Sequence, residues 1–358
     1  MSETKDGIWN RYAPTAARRH GRPGRELRPS STTIDIHAHV FIQAAADYVA
    51  PHLNTASDAL NRFAAAETKE LNKRQDAERR PRMAGFEHRF ADMEAMGLDM
   101  QLVSPAPPQC YYGVPAEIGA RAARLINDGI AEYIGKYPDR LAALGSVPMQ
   151  DGEAAAAELD YAVNTLGFKG VEILTNVAGR ELSDPAFVPF WAKAEELGAW
   201  VFIHPSGFTH GDRLGRFYFS NVIGNPLETA LALHYLIFDG VLERHPRLKI
   251  MAAHGGGFLG AYHGRIDHAW GARSDSHGAL PQPPSTYLKR IHFDTVVFTP
   301  EQLRALISAY GADRIMIGTD YPFDMGEYDP IGHLAETGLG AEDMAAIAGG
   351  NARRLFGM

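Results

Sequence analysis

Two histidines separated by a single residue end a short apolar segment near the start of the chain. Residues 34–41 read IDIHAHVF. In a β-strand, residues i and i+2 point to the same face, so His37 and His39 would present two imidazoles to one point. Imidazole is the commonest protein ligand for transition metals. The chain has 15 histidines, so the pair alone is equally compatible with ordinary surface or core residues.

Three later apolar segments also end in side chains that can bind a metal, namely His204, His254 and Asp320. Burying several titratable groups without an opposite charge is costly, and a bound cation would offset that cost. The only cysteine is Cys110, which excludes a disulfide and a thiolate-rich site. We therefore predict a metal site built from histidine and carboxylate side chains.

The elements that must position these side chains alternate along the chain. Eight short segments rich in Val, Ile, Leu and Phe are separated by longer helical segments, as expected for strands buried on both faces of a parallel sheet. The predicted strands cover residues 33–40, 100–105, 142–147, 170–175, 200–205, 249–254, 291–296 and 315–320. The predicted helices include 116–137, 154–166, 184–197, 226–245 and 300–310. This order predicts an α/β fold, a (β/α)8 TIM barrel with its active site at the carboxyl ends of the strands, with a doubly wound open sheet as the alternative.

Two insertions and an N-terminal segment add to the predicted barrel of residues 31–358. Residues 41–97 form an inserted helical segment after strand 1, with a charged helix at 56–79, and are expected to lie over the barrel mouth. Residues 206–225 follow strand 5 and would form a lid-like loop. Residues 1–30 are rich in Arg, Gly and Pro and are expected to form an extended arm, which could wrap a neighbouring subunit or bind an acidic partner.

The bulk composition excludes several classes of protein. The chain of 358 residues has a net charge of −8, which argues against a nucleic-acid binder because no net positive field attracts phosphates. No apolar run reaches the roughly 18 residues of a membrane span. The N-terminus lacks the apolar core of a signal peptide. We therefore expect a cytoplasmic protein that acts on small molecules.

Several motifs resemble the amidohydrolase superfamily, and in particular its branch of non-oxidative decarboxylases related to 2-amino-3-carboxymuconate 6-semialdehyde decarboxylase. The similarity extends from about residue 32 to residue 358. The motifs are DIHAH at 35–39, VPMQ at 147–150, IHP at 203–205, AHGGG at 253–257, GR at 264–265, GTDYPF at 318–323 and GNA at 350–352. The HGGG and TDYPF segments are specific to this branch of the superfamily.

The resemblance implies a mononuclear metal site and a decarboxylation. The ligands would be His37, His39, His204 and Asp320, with a water in the remaining position. Zn²⁺ suits this ligand set best, and Mn²⁺ and Fe²⁺ are alternatives. His254 would be the general acid and base that exchanges a proton with the metal-bound water, and Asp320 would take part in catalysis as well as in binding. The implied substrate is a small unsaturated or aromatic carboxylic acid.

The resemblance also implies substrate contacts and a homodimer. Arg265 matches a family arginine that reaches the substrate of the neighbouring subunit. A second arginine should come from the first insertion, where Arg80 lies nearest by spacing and Arg82 is the alternative. The planar guanidinium fork suits a carboxylate, so both arginines would bind the substrate. Phe323 would form part of the pocket wall.

Two departures from the family keep other functions open. After His204 the chain reads PSGFTH, where the semialdehyde decarboxylase has a tryptophan and an acidic residue, so the substrate is not determined. Glu172 lies in strand 4, where binuclear hydrolases of the superfamily carry a bridging carboxylate. If Glu172 points into the barrel, His254 could bind a second metal and the enzyme would hydrolyse an amide or lactone. A non-catalytic barrel is a third possibility, which the complete ligand set disfavours.

Overall fold

The fold is built around eight parallel strands, described within residues 24–54 and 62–358 of a computed structural model. The barrel strands are β1 (Ile34–Val40), β2 (Met100–Pro105), β3 (Leu141–Ala143), β4 (Gly170–Leu174), β5 (Trp200–His204), β6 (Lys249–Ala252), β7 (His292–Asp294) and β8 (Ile315–Met316). Each begins within one residue of its predicted start, and six end earlier than predicted. The early ends free the polar residues that follow the strands to turn into the loops at the barrel mouth.

The strands close on themselves to form the predicted barrel. Hydrogen bonds join β1, β2 and β3 in one parallel sheet and β8, β7, β6, β5 and β4 in another. The bridges Gly145–Val171 and Ala38–Tyr321 join the two sheets along both seams. The fold is therefore a (β/α)8 TIM barrel and not an open sheet, and the carboxyl ends of its strands meet at one mouth.

Strand β1 contains a β-bulge beside the histidine pair. Asp35 pairs with Gln101 of β2, but Ala38 pairs with Val103, so β1 has one more residue than β2 between these pairs. A bulge changes the face to which the following side chains point. Asp35 consequently bonds to Gln101, whereas the ring of His37 packs against β5 across the barrel interior.

Helices surround the barrel. They are α1 (Gln43–Val49), α2 (Ala66–Ala84), α3 (Glu87–Met96), α4 (Ala116–Gly135), α5 (Gly152–Asp160), α6 (Val188–Leu197), α7 (Phe219–Val222), α8 (Gly224–Phe238), α9 (Val241–Arg244), α10 (Gly257–Tyr262), α11 (Gly264–Ala272), α12 (Ser274–His277), α13 (Pro284–Leu288), α14 (Pro300–Tyr310), α15 (Pro330–Ala335), α16 (Ala341–Ala345) and α17 (Asn351–Phe356). The single helix predicted at 226–245 is divided into α8 and α9 at Gly240, whose φ of 74° interrupts the helix. None of the helices in the described ranges is long and apolar enough to cross a membrane.

An apolar layer fills the barrel below its mouth. Its members include buried side chains from β2, β5, β6 and β8: Leu102, Trp200, Phe202, Met251 and Met316. Because this layer excludes water, the environment beneath the polar groups at the strand ends has a low dielectric constant. Electrostatic interactions among those groups are correspondingly stronger.

The segments added to the barrel differ from prediction at their ends. The helix of the first insertion is α2, which begins later and ends later than the predicted 56–79, and residues 55–61 lie outside the described part of the chain. Of the predicted arm, residues 1–23 also lie outside it. The described end of that segment is not extended: Gly24–Leu27 form a 3-10 helix, and Arg28 pairs with Asp99 at 2.8 Å. This correction reflects packing of the segment on the barrel.

Candidate metal centre

Four side chains from three barrel strands converge at the mouth. His37 and His39 come from β1, His204 ends β5, and Asp320 lies in the loop after β8. One ligand atom from each lies within 4.8 Å of those of the other three, and all four residues are buried. These are the four side chains that the family resemblance implies as metal ligands.

The outer nitrogen of each imidazole is held by a hydrogen-bond acceptor. Nδ1 of His37 lies 2.7 Å from Oδ2 of Asp294. Nδ1 of His39 lies 3.1 Å from the Pro105 carbonyl, and Nδ1 of His204 lies 2.7 Å from the Pro205 carbonyl. Carbonyl oxygens only accept, so these Nδ1 atoms carry the protons. The Nε2 atoms are left with lone pairs directed at the centre, the orientation that metal-binding histidines require.

The inner donor atoms of the four side chains crowd around a single point. Nε2 of His37 and Nε2 of His39 are 3.2 Å apart, and Oδ1 of Asp320 lies 3.3 and 3.2 Å from them. Within the described ranges, Nε2 of His204 and Oδ1 of Asp320 are buried without a hydrogen-bond partner. A divalent cation between these atoms would accept lone pairs from all four side chains at once. The donor set therefore fits a divalent metal.

The pKa values of these side chains reflect their burial and the charges of their neighbours. Burial alone would lower the pKa of His37, but the carboxylates of Asp320 and Asp294 outweigh burial and raise it to about 10. Burial would raise the pKa of Asp320, yet the charge of His37 outweighs burial and holds it well below its usual range. Burial lowers the pKa of His204 to about 3. Burial also lowers the pKa of His39. The pocket thus combines an ionised Asp320 with neutral imidazoles at His39 and His204, and its carboxylates hold on His37 a proton that a bound cation would replace.

The backbone around Asp320 is shaped to bring its carboxylate inward. Asp320 has a φ of 59°, in the left-handed region, and its amide donates to the His37 carbonyl at 2.8 Å. A Cβ at Gly318 would lie 2.9 Å from Cβ of His37 and 2.7 Å from Cβ of Asp294, so only glycine fits there. Left-handed backbone is costly for a non-glycine residue and tends to persist where the surrounding structure requires it.

His254 lies beside this cluster and not within it. Its Nε2 is 3.3 Å from Oδ2 of Asp320, the oxygen that faces away from the three histidines' shared point. Its side chain is 16% exposed, more than those of the other three imidazoles, and its Nδ1 has no hydrogen-bond partner in the described part of the chain. His254 also has a positive φ of 56°, held by its amide hydrogen bond to Asp294 at 2.9 Å. It is therefore placed to exchange protons with a molecule in the mouth.

Sequence reasoning missed the carboxylate that orients these groups. Asp294 ends β7 and accepts hydrogen bonds from His37, from the amides of His254 and Gly255, and from the Val296 amide. Its signal was a charged residue inside the predicted strand at 291–296, two residues before the predicted end, whereas Asp320 ends its predicted strand. Burial would raise the pKa of Asp294, but hydrogen bonding and the charge of His37 lower it, so it stays ionised.

The arginine of the insertion that approaches the centre is Arg79 and not Arg80. The guanidinium of Arg80 lies 4.0 Å over the ring of Phe41 and bonds to Gln43. The guanidinium of Arg79 lies 4.7 Å over the ring of Phe323. The alternative Arg82 is likewise turned away, since it bonds to Asp92 at 3.1 Å.

Phe323 lines the centre as a wall between Arg79 and the histidines. Its ring centroid lies 5.2 Å from that of His39, edge to face. Arg79 is buried; its Nη2 pairs with Oδ1 of Asp76 at 2.9 Å, and among the described residues its Nε has no hydrogen-bond partner. A buried guanidinium with an unused donor beside the centre can accept an anionic group.

Glu172 faces the outer side of His39. Its Oε2 lies 3.6 Å from Nδ1 of His39 and accepts from Oγ of Ser104 at 2.5 Å. The described side chains that share the centre include neither Glu172 nor His254. Glu172 is thus separated from the inner donor atoms by the imidazole ring of His39.

Substitution Glu172→Gln is expected to leave metal content at one equivalent per chain. Burial raises the pKa of Glu172 to about 8, so the carboxyl is largely protonated at neutral pH and glutamine is a close mimic. Elemental analysis of the purified wild-type and variant proteins measures the stoichiometry. Two equivalents in the wild type that fall in the variant would instead favour a binuclear hydrolase.

Comparison with known proteins identifies a consistent group of relatives. The model of the family described as Amidohydrolase matches residues 34–358. The chain is 35% identical over 273 residues to 2-amino-3-carboxymuconate-6-semialdehyde decarboxylase of Dictyostelium discoideum, covering 75% of this chain and 76% of the relative. It is 31% identical over 300 residues to gamma-resorcylate decarboxylase of Rhizobium sp. strain MTP-10005, covering 76% and 89%. The crystal structure of 5-carboxyvanillate decarboxylase from Sphingomonas paucimobilis superimposes with a TM-score of 0.80 at 26% identity, covering 92% of this chain and 100% of that one.

Proposed function

This chain belongs to the amidohydrolase family, and from that premise we propose that it is a metal-dependent, non-oxidative decarboxylase of a small unsaturated or aromatic carboxylic acid. The observation that carries the proposal is the cluster of His37, His39, His204 and Asp320 with the unliganded His254 beside it. A cluster of three imidazoles and one carboxylate leaves a bound divalent cation with net positive charge. The relatives that match over most of their length are decarboxylases.

We assign the four clustered side chains as the ligands of one divalent metal, with Zn²⁺ as the expected ion and Mn²⁺ or Fe²⁺ as alternatives. When bound, such a metal supplies a Lewis acid that draws electron density from the substrate. The chain's own contribution is to hold the donor atoms in place through Asp294 and the two proline carbonyls. The apolar layer below excludes water from the reacting groups.

His254 is proposed as the general acid and base. Decarboxylation breaks the bond between the carboxylate carbon and its neighbour, leaves the electron pair on the neighbour, and releases carbon dioxide. A proton must then take the place of the lost carboxylate. Nε2 of His254 lies 3.3 Å from Oδ2 of Asp320, and the partly exposed ring can exchange protons with solvent, so His254 can supply that proton.

Arg79 is proposed to bind a carboxylate of the substrate. We expect Arg79→Lys to raise KM by roughly 10- to 100-fold, because one charge-assisted hydrogen-bonded pair contributes about 1.5–3 kcal/mol. The matched control is Arg80→Lys. Because the guanidinium of Arg80 lies over Phe41, this substitution should leave KM nearly unchanged. Steady-state kinetics with an acid that the enzyme decarboxylates measure the KM of both variants. An equal effect of both substitutions would contradict the assignment.

The dimer is proposed to form through an exposed apolar face next to Arg265. Tyr235 of α8, Phe258 and Tyr262 of α10, and Val222 of α7 are exposed, and both α7 and α10 pack against α8. Phe258 is 47% and Tyr262 67% exposed, which is unusual for large apolar side chains. A second copy of the chain would cover this face and bring its own exposed Arg265 toward a neighbouring mouth.

Subunit complementation tests whether sites are shared across that dimer. Arg265→Ala and His254→Ala are each expected to be nearly inactive as homodimers. A mixed population should recover about a quarter of the wild-type activity, because in each heterodimer one site retains both His254 and the partner's arginine. Analytical ultracentrifugation confirms the dimer beforehand. If the mixture stays inactive although heterodimers form, Arg265 acts within its own subunit or not at all.

A carbon dioxide release screen tests the proposed activity. Metal-replete protein is incubated with unsaturated and aromatic acids, including 2,6-dihydroxybenzoate and 5-carboxyvanillate, and matched metal-stripped protein is the control. Release of carbon dioxide that requires metal supports the proposal. Metal-dependent hydrolysis of amides or lactones with no carbon dioxide from any acid would overturn it.

A further inference from the structure

A buried arginine outside the barrel wall is not used by the proposed chemistry. Arg89 of α3 is fully buried, and it forms no ion pair within the described part of the chain. Its guanidinium instead donates to the Tyr133 hydroxyl at 2.9 Å, to Oε1 of Gln101 at 2.8 Å, and to the His39 carbonyl at 2.6 Å. Burying a charge without a carboxylate in contact is costly, so this position calls for an explanation.

Gln101 connects that guanidinium to a buried carboxylate. Its amide nitrogen donates to Oδ2 of Asp35 at 2.9 Å while its amide oxygen accepts from Arg89. The Gln101 amide therefore links the Arg89 guanidinium to the Asp35 carboxylate through two hydrogen bonds. The planar guanidinium suits this geometry because several of its donors act at once in fixed directions.

Asp35 joins the two sides of the metal centre. Its Oδ1 accepts from the amides of His37 and Thr319, at 3.0 and 3.1 Å, and its Oδ2 accepts from the Thr319 hydroxyl at 2.6 Å. His37 and Asp320 are on opposite sides of the seam between β1 and β8, and Thr319 directly precedes Asp320. One carboxylate thus fixes the spacing of these two groups.

The bulge in β1 is what makes the connection possible. With strict alternation, Asp35 would share the inward face of His37. The extra residue between Asp35 and Ala38 lets Asp35 bond to Gln101 while His37 faces the interior. The bulge therefore directs His37 toward the metal centre and Asp35 toward Gln101.

We propose that Arg89, Gln101, Asp35 and Thr319 form a positioning network that sets the separation between the β1 histidines and Asp320, and thereby the metal affinity. The proposal rests on the ligand assignment made above. The network contacts the main chain of His37 and His39 and of the residue before Asp320. Groups that orient metal ligands from behind typically change metal affinity by about 10- to 100-fold when removed.

The test measures how tightly the whole protein binds Co²⁺, and this measurement does not depend on enzymatic turnover. Thr319→Val removes the hydroxyl that bonds to Asp35 with little change in shape, and Thr319→Ser restores it. Gln101→Leu and Arg89→Met interrupt the network farther from the centre. Arg124→Met is the matched control, because Arg124 forms a bidentate pair with Glu158 between helices α4 and α5 and has no contact with the network.

We expect Thr319→Val, Gln101→Leu and Arg89→Met to weaken Co²⁺ affinity by about 10- to 100-fold and to alter the visible Co²⁺ absorption bands. Thr319→Ser should restore both, and Arg124→Met should lower thermal stability with wild-type affinity and spectrum. If Arg89→Met fails to fold, the Thr319 pair still decides the question. Thr319→Val with wild-type affinity and spectrum would overturn the network, whereas a wild-type protein that binds no metal would overturn the ligand assignment itself.

Discussion

Substitution His254→Asn is expected to lower kcat by about a thousandfold while metal content stays at the wild-type level. Asparagine can still donate a hydrogen bond to Asp320, but it cannot release and regain a proton near neutral pH. His254 lies outside the cluster of four donor side chains, so its loss should leave the metal in place. The prediction separates a proton-transfer role from a ligand role at the same mouth.

The His254 experiment pairs metal analysis with single-turnover kinetics. His88→Asn is the control, since His88 is an exposed histidine on α3. Loss of metal in His254→Asn would make His254 a ligand and favour the binuclear hydrolase. Unchanged kcat would remove it from the mechanism.

Substitution Asp320→Asn is expected to abolish activity by weakening metal binding on the order of 100-fold or more. Asp320 contributes the only carboxylate of the cluster, and its Oδ1 lies 3.2 Å from Nε2 of His39 and 3.3 Å from Nε2 of His37. Asparagine has nearly the same shape but no charge. It removes the attraction for a cation while the hydrogen bond to His254 can persist.

Chelator competition measures the affinity of the Asp320 variant, and circular dichroism checks that it folds. Asp313→Asn is the control, because Asp313 is an exposed aspartate that pairs with Arg314 just before β8. An Asp320 variant with full metal content and full activity would show that the ligand assignment is wrong. A variant that binds metal normally but turns over slowly would give Asp320 a purely catalytic role.

The barrel and the meeting of His37, His39, His204 and Asp320 were predictable from sequence. Strands buried on both faces appear as continuous apolar runs, and parallel strands in a barrel bring their carboxyl ends to one mouth. A polar side chain at the end of such a run therefore points to the site without any knowledge of tertiary contacts. Asp294 ends the observed β7 but lies two residues before the end of the predicted strand, so this signal did not mark it.

The insertion could not be predicted to the same accuracy. Arg79 and Arg80 are neighbours on α2, and adjacent residues on a helix point about 100° apart. A spacing argument that is wrong by one residue therefore selects a side chain that points in a different direction from the helix. Only the packing of α2 over Phe323 decides that Arg79 approaches the centre and that Arg80 lies over Phe41.

The sequence by itself determined the fold class and the chemical types of the groups at the mouth, because both follow from local periodicity and from the order of elements. The tertiary structure alone decided which face each group presents. The bulge in β1 separates Asp35 from His37, the ring of His39 stands between Glu172 and the centre, and Arg89 reaches Asp35 only through Gln101. These outcomes depend on contacts between residues far apart in the chain, which no local pattern encodes.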